Sequence, residues 1–138
     1  MALPTILLAS TTTAAGAVNT TGSEVHIPGN WSGMAFVLDV TAAATDAGDT
    51  LDVKVQARCD GTNYIDVVHF TQCVGNGGAK RHIAKISSSV AQAMFENAAA
   101  LGAGNVRNLL AEVWRVAYAQ VDADSNGTFT FSVTACPM

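Results

Sequence analysis

Leu51-Asp52-Val53-Lys54-Val55-Gln56-Ala57-Arg58 sets an apolar residue at every odd position and a polar one at every even position. A strand turns successive side chains to opposite faces, so this stretch predicts a strand with one buried face and one wet face. A helix would spread the same charges around its whole surface. The register follows directly. Leu51, Val53 and Val55 face the core, and Asp52, Lys54 and Gln56 face out, because a one-residue slip would bury Lys54 without a partner.

Working outward, Cys59-Asp60-Gly61-Thr62-Asn63 supplies an Asp-Gly turn, and Tyr64 to Phe70 resumes with aromatic and β-branched residues. Residues 50–71 therefore read as a β-hairpin. Upstream, Met34, Phe36, Leu38 and Val40 alternate before the turn chemistry of Asp46-Ala47-Gly48-Asp49. Near the C-terminus, Trp114, Val116 and Tyr118 share one face of a strand. After the loop Asp122-Ala123-Asp124-Ser125-Asn126-Gly127, Phe129, Phe131 and Val133 share another, which suggests a second hairpin over about 106–135. Weaker strands are expected near 5–11, 24–28 (Val25 and Ile27 inward) and 81–87.

Seven to eight short strands in 138 residues predict a single all-β domain over 1–138, an antiparallel β-sandwich of jelly-roll-like arrangement. Two stretches break the pattern. Ala9 to Ser23 is an uncharged Thr/Ala/Gly tract, and residues 1–23 are expected to form an extended N-terminal arm able to add to a sheet edge on a neighbour. Ser88 to Gly104 is Ala-rich and reads as a long loop or a short helix over Ala91–Leu101, stopped by Gly102 and Gly104.

Hydrophobic residues make up 49% of the chain and charged ones only 13%, against about 25% charged in an ordinary domain. Apolar surface seeking a partner is expected, and with it a homo-oligomer. Seven scattered basic residues and a net charge of −4 argue against nucleic acid. No run of roughly 18 apolar residues is present to span a bilayer, and the N-terminal apolar run lacks a basic region and is broken by Pro4. Synthesis in a cytoplasm is therefore expected. Cys59, Cys73 and Cys136 are widely spaced and odd in number, which reads as buried free thiols rather than a disulfide framework or zinc site.

No catalytic, cofactor-binding or metal-ligating residue is assigned. His26, His69 and His82 lie at no ligand spacing. Asp46, Asp49 and Asp52 invite a calcium reading, but an EF-hand loop needs ligands at alternate positions and a closing Glu. These acids, like Asp122 and Asp124, read more simply as solvating turns. Gly75-Asn76-Gly77-Gly78 before Lys80 lacks the ending of a phosphate loop, and no serine stands in a Gly-x-Ser-x-Gly elbow. Trp31 and Trp114 read as core anchors before they read as a carbohydrate platform. The chain is not expected to be an enzyme.

Two blocks carry a resemblance. Asp49 to Gln56 followed by Asp60 to Gln72 joins an alternating strand, an Asp-Gly turn, an aromatic and a closing His69-Phe70-Thr71. Trp114-Arg115-Val116-Ala117-Tyr118 with Phe129-Thr130-Phe131-Ser132-Val133 is the second. Together they cover roughly a third of the chain and resemble small β-sandwich virion proteins of tailed bacteriophages. The resemblance implies a capsid decoration (cement) protein on the capsid exterior, commonly trimeric and bracing the major capsid protein. A tail-tube, tail-terminator or head–tail connector protein is the alternative, and a carbohydrate-binding β-sandwich module is the second alternative.

Overall fold

Residues 3–88, 94 and 100–138 are described by a computed structural model. Among them eleven strands form: β1 (Thr5–Thr12), β2 (Val18–Thr21), β3 (Val25–His26), β4 (Gly33–Ala42), β5 (Thr50–Arg58), β6 (Tyr64–His69), β7 (Cys73–Val74), β8 (Lys80–Ser87), β9 (Asn105–Val106), β10 (Val113–Val121) and β11 (Thr130–Pro137). Eight make the framework of a sandwich. One sheet runs β1-β11-β4-β8 and the other β2-β10-β5-β6, with the two-residue strands β3, β7 and β9 attached to β10, β5 and β6. Every pairing is antiparallel.

The pairs β1/β11, β2/β10, β4/β8 and β5/β6 are those of one long ribbon bent at the β5–β6 hairpin. Rolling the ribbon places successive pairs alternately in the two sheets, which is the jelly-roll order. The hairpin expected over 50–71 forms, with Arg58 opposite Tyr64 and Lys54 opposite His69. The second expected hairpin does not. β10 pairs with β2 and β5, while β11 pairs with β1 and β4, so residues 122–129 cross from one sheet to the other. Both strands bury an apolar face, and alternation specifies which side chains point inward without specifying which sheet supplies them.

Three other segments cross between the layers at the same end, 13–17, 43–49 and 70–79, while the links from β3 to β4 and from β8 to β9 also change sheet. Registry places all four at one end of the sandwich. Thr12 lies opposite Thr130, Ala42 opposite Thr130, Val121 opposite Thr50 and Thr50 opposite Val74.

The alternation at 51–58 holds residue by residue, with Leu51, Val53, Val55 and Ala57 buried and Asp52, Lys54, Gln56 and Arg58 turned outward. Facing them from the other sheet are Met34, Phe36, Leu38, Phe131 and Val133, all fully buried. Trp114 is the largest buried side chain, its ring 5.1 Å from Phe36 and tilted 58° to it. Trp31 is half-buried and packs against the same core.

Residues 5–12 and 18–21 do not stand off as an arm. They pair with β11 and β10 and Leu7 enters the core, because ladder bonds and apolar burial within the chain satisfy the uncharged tract. β1 carries two register irregularities, between Ile6 and Leu8 and between Leu8 and Thr11. The loop or short helix expected around 88–104 lies largely outside the described residues. Of the cysteines, all free, Cys73 is buried, Cys136 half-buried and Cys59 exposed, so the expectation of three buried thiols holds for one.

Asp60 organises the β5–β6 turn: Oδ1 accepts from the N–H groups of Thr62 (2.9 Å) and Asn63 (2.7 Å), and Oδ2 from Asn63 Nδ2 (2.8 Å). The Asn63 backbone N–H, its side-chain amide and the Thr62 N–H stabilise the anion and lower its pKa to about 2. An unfolded Asp titrates at about 3.9. The ionised group therefore stabilises the fold above about pH 4, and this contribution disappears as pH falls toward about 2. Carboxyl NMR should place Asp60 near that value, and Asp60→Asn should keep the turn while removing this segment of the acid-unfolding profile. In the core, Trp114→Ala is expected to cost about 3–5 kcal/mol by chemical denaturation.

Candidate functional site

The end of the sandwich where the four crossings meet holds an unusual concentration of buried polar groups. Gln120, the last inward residue of β10, is 2% exposed. Its Nε2 approaches the carbonyls of Ala14 (3.0 Å), Gly16 (2.8 Å) and Gly127 (3.0 Å), and its Oε1 accepts from the Thr13 hydroxyl. Thr13 Oγ1 in turn accepts from Phe129 N–H at 2.9 Å. Asp122, 5% exposed, receives the N–H groups of Gly16 and Gly127 on Oδ2, both at 2.8 Å. These bonds tie the 13–17 crossing to the 122–129 crossing, so that neither leaves its backbone groups dry and unpaired.

Against this network stand three further acids. Asp46 and Asp49 come from the β4–β5 crossing, with Asp49 N–H donating to Asp46 O at 3.1 Å. Asp124 comes from the β10–β11 crossing. One carboxylate oxygen from each of Asp46, Asp49 and Asp124 lies within 4.8 Å of the others. Asp122 is a neighbour whose charge acts on both Asp49 and Asp124. Asp49 is 3% exposed, and its Oδ2, like Asp122 Oδ1, has no hydrogen-bond partner among the described residues.

Two glycines make room for this approach. A Cβ on Gly127 would collide with the Asp49 carboxylate, and one on Gly75 with the Asp46 carbonyl. Gly75 N–H, from the 70–79 crossing, donates to Asp49 O at 2.8 Å.

The electrostatics follow from crowding. Burial raises the pKa of Asp49, and the charges of Asp122 and Asp46 raise it further. Asp124 is raised by its contacts with Asp122 and then Asp46. Asp122 is pushed up by burial, but the N–H groups of Gly16 and Gly127 outweigh this and hold it low. None of the four carboxylates makes an ion pair among the described residues. Such a set favours a proton or a cation between its members.

The sequence pattern had grouped Asp46 and Asp49 with Asp52, and Asp52 goes elsewhere. It lies on the outward face of β5, where Oδ1 meets His69 Nε2 (2.9 Å) and Oδ2 accepts from Gln72 Nε2 (2.9 Å). The polar side chains of β5, β6 and β10 on that outer face are paired with one another or with Glu24. Lys54 meets Asp66 at 3.1 Å, Gln56 bridges Asp66 (2.8 Å) and Arg115 (2.7 Å), and Arg58 and Tyr64 both bind Glu24. The Tyr64 ring is covered by the Arg115 guanidinium, 3.7 Å from its centre.

The histidines do not converge as ligands. His26 pairs with Glu24 at 3.0 Å. His69 and His82 line one depression of about 290 Å³, but both His69 nitrogens are engaged, by Asp52 and by the Leu101 carbonyl (2.7 Å). The Gly75–Gly78 stretch forms the turn between β7 and β8, as expected.

The outer face of the four-stranded sheet is different. Ile83 of β8 pairs with Val37 of β4, Val37 with Thr134 of β11, and Thr134 with Ile6 of β1, so one row crosses all four strands. Ile83 is 70% and Ile6 64% exposed. Ala35 and Cys136 flank the row on one side, and Asp39 and Ser132 on the other, with a single ion pair from Arg81 to Asp39 at 3.2 Å.

Gln120→Ala should cost about 2–3 kcal/mol, read as a lowered urea midpoint, because it strands the Thr13 hydroxyl and buried carbonyls. No family model, curated protein or solved structure matches the chain.

Proposed function

We propose that the chain is a structural protein that docks onto an assembled protein lattice, as a capsid decoration (cement) protein of a tailed bacteriophage. The observation that supports this reading is the contrast between the two outer faces. One is laced with ion pairs and hydrogen bonds made within the chain. The other presents the row Ile83–Val37–Thr134–Ile6, with Ile83 and Ile6 largely exposed between Arg81 and Lys85 on β8 and one ion pair from Arg81 to Asp39. A face of that kind is suited to burial against a partner.

The partner in this reading is the major capsid protein, and the chain acts as a homotrimer on the capsid exterior. The sequence blocks quoted above favour this over a tail-tube, tail-terminator or connector role. The carbohydrate alternative is weakened by the aromatics. Trp114 is fully buried, Trp31 packs on the core, Tyr64 is covered by Arg115, and no described aromatic ring is exposed.

The purified chain is expected to cosediment with major-capsid-protein shells of its phage, and Ile83→Asp to lose that cosedimentation while melting at an unchanged temperature. Binding to tails instead would move the assignment to the tail reading. Failure of the wild-type chain to bind either would reject a virion role.

A further inference from the structure

We propose that Asp46, Asp49 and Asp124, with Asp122 beside them, form a calcium site that locks together the layer-crossing segments at one end of the sandwich. It does not depend on the docking reading, since it concerns the isolated chain.

Acidic side chains gather on many protein surfaces without binding anything. Here the second observation is a buried, unpartnered oxygen within the cluster, that of Asp49, with a second on the neighbouring Asp122. Asp49 Oδ2 and Asp122 Oδ1 are each shielded from solvent without a hydrogen-bond donor, in residues 3% and 5% exposed. A buried anionic oxygen without a donor is costly unless a positive charge meets it. No side-chain cation of the described residues makes an ion pair with these acids. Gly127 lacks the side chain that would otherwise occupy the position of the Asp49 carboxylate, so the backbone is shaped to admit it.

The donor set selects the ion. All the clustered side-chain ligands are carboxylate oxygens, the hard donors preferred by calcium and magnesium over zinc or copper. Calcium takes oxygens at about 2.3–2.6 Å, so two of its ligands stand at most about 5 Å apart, and the spread of 4.8 Å among Asp46, Asp49 and Asp124 fits within that span. The ligands lie on crossing loops rather than on ladder-bonded strand positions. Such a site suits calcium's adaptable shell better than magnesium's strict octahedron. Asp46 and Asp124 are the more open members, leaving a side where water completes the coordination.

The consequence is mechanical. Asp46 and Asp49 belong to the 43–49 crossing, and Asp122 and Asp124 to the 122–129 crossing. Asp122 also holds Gly16 of the 13–17 crossing, and the Asp49 carbonyl holds Gly75 of the 70–79 crossing. One ion therefore braces two crossings directly and reaches the other two through one hydrogen bond each.

The test uses the full-length chain, stripped with a chelator and titrated with calcium chloride, with magnesium chloride as control, read by thermal melting and calorimetry. At free calcium about a hundred times Kd, Tm is expected to rise by roughly 10 °C. Asp124→Asn, at an exposed position where folding is not at risk, should weaken calcium binding roughly tenfold or more, and Asp49→Asn should do the same. Both variants should melt above the wild type in chelator, because each removes a like charge from the cluster. A residue needed only for packing would not give that reversal. Absence of heat and of any Tm shift up to millimolar calcium overturns the proposal. So does a calcium response that survives in both variants, and an equal response to magnesium overturns the choice of ion.

Discussion

The four crossings gathered at one end of the sandwich impose the constraint on which the rest of the structure depends. Strand pairing satisfies the backbone within each sheet, but a chain leaving one sheet for the other must carry its N–H and C=O groups past the edge of an apolar core. Here the difficulty is met at one place. Gln120 points inward from the end of β10 and reaches the carbonyls of both the 13–17 and 122–129 crossings, while Thr13 and Asp122 supply the matching acceptors. Because β10 and β11 are each flanked by strands on both sides, a disturbance at their junction would be felt by both sheets. The packing of Trp114 on Phe36 depends on the sheets being held in this alignment.

Much of the strand framework was legible because alternation is a local property. The run from Leu51 to Arg58 states its own inward face, and the turn after it is named by Asp60 and Gly61. The link from β10 to β11 was not legible in the same way. Trp114, Val116, Phe129 and Phe131 all announce inward faces, yet a tight hairpin and a crossing between layers produce the same alternation. What distinguishes them is the buried Gln120 and Asp122, and their partners lie more than a hundred residues away at Thr13 and Gly16.

The acidic cluster shows the same limit. Three-residue spacing groups Asp46, Asp49 and Asp52, but Asp49 immediately precedes β5 while Asp52 lies within it, on its outward face. Asp52 therefore joins His69, and the place beside Asp49 is taken by acids from the far end of the sequence. Gly127 was a usable clue. It reads as part of an Asn-Gly turn, whereas its role here is to admit the Asp49 carboxylate.

The edges of the four-stranded sheet bear on how the molecule meets its neighbours. β8 surrounds its exposed Ile83 with Lys80, Arg81 and Lys85, and β1 is interrupted by two irregularities in its pairing with β11. A second copy seeking to extend the sheet would meet Lys80, Lys85 and the Asp39-paired Arg81 on one side and a kinked ladder on the other. Runaway polymerisation through strand addition is thereby discouraged, although the face between those edges is apolar.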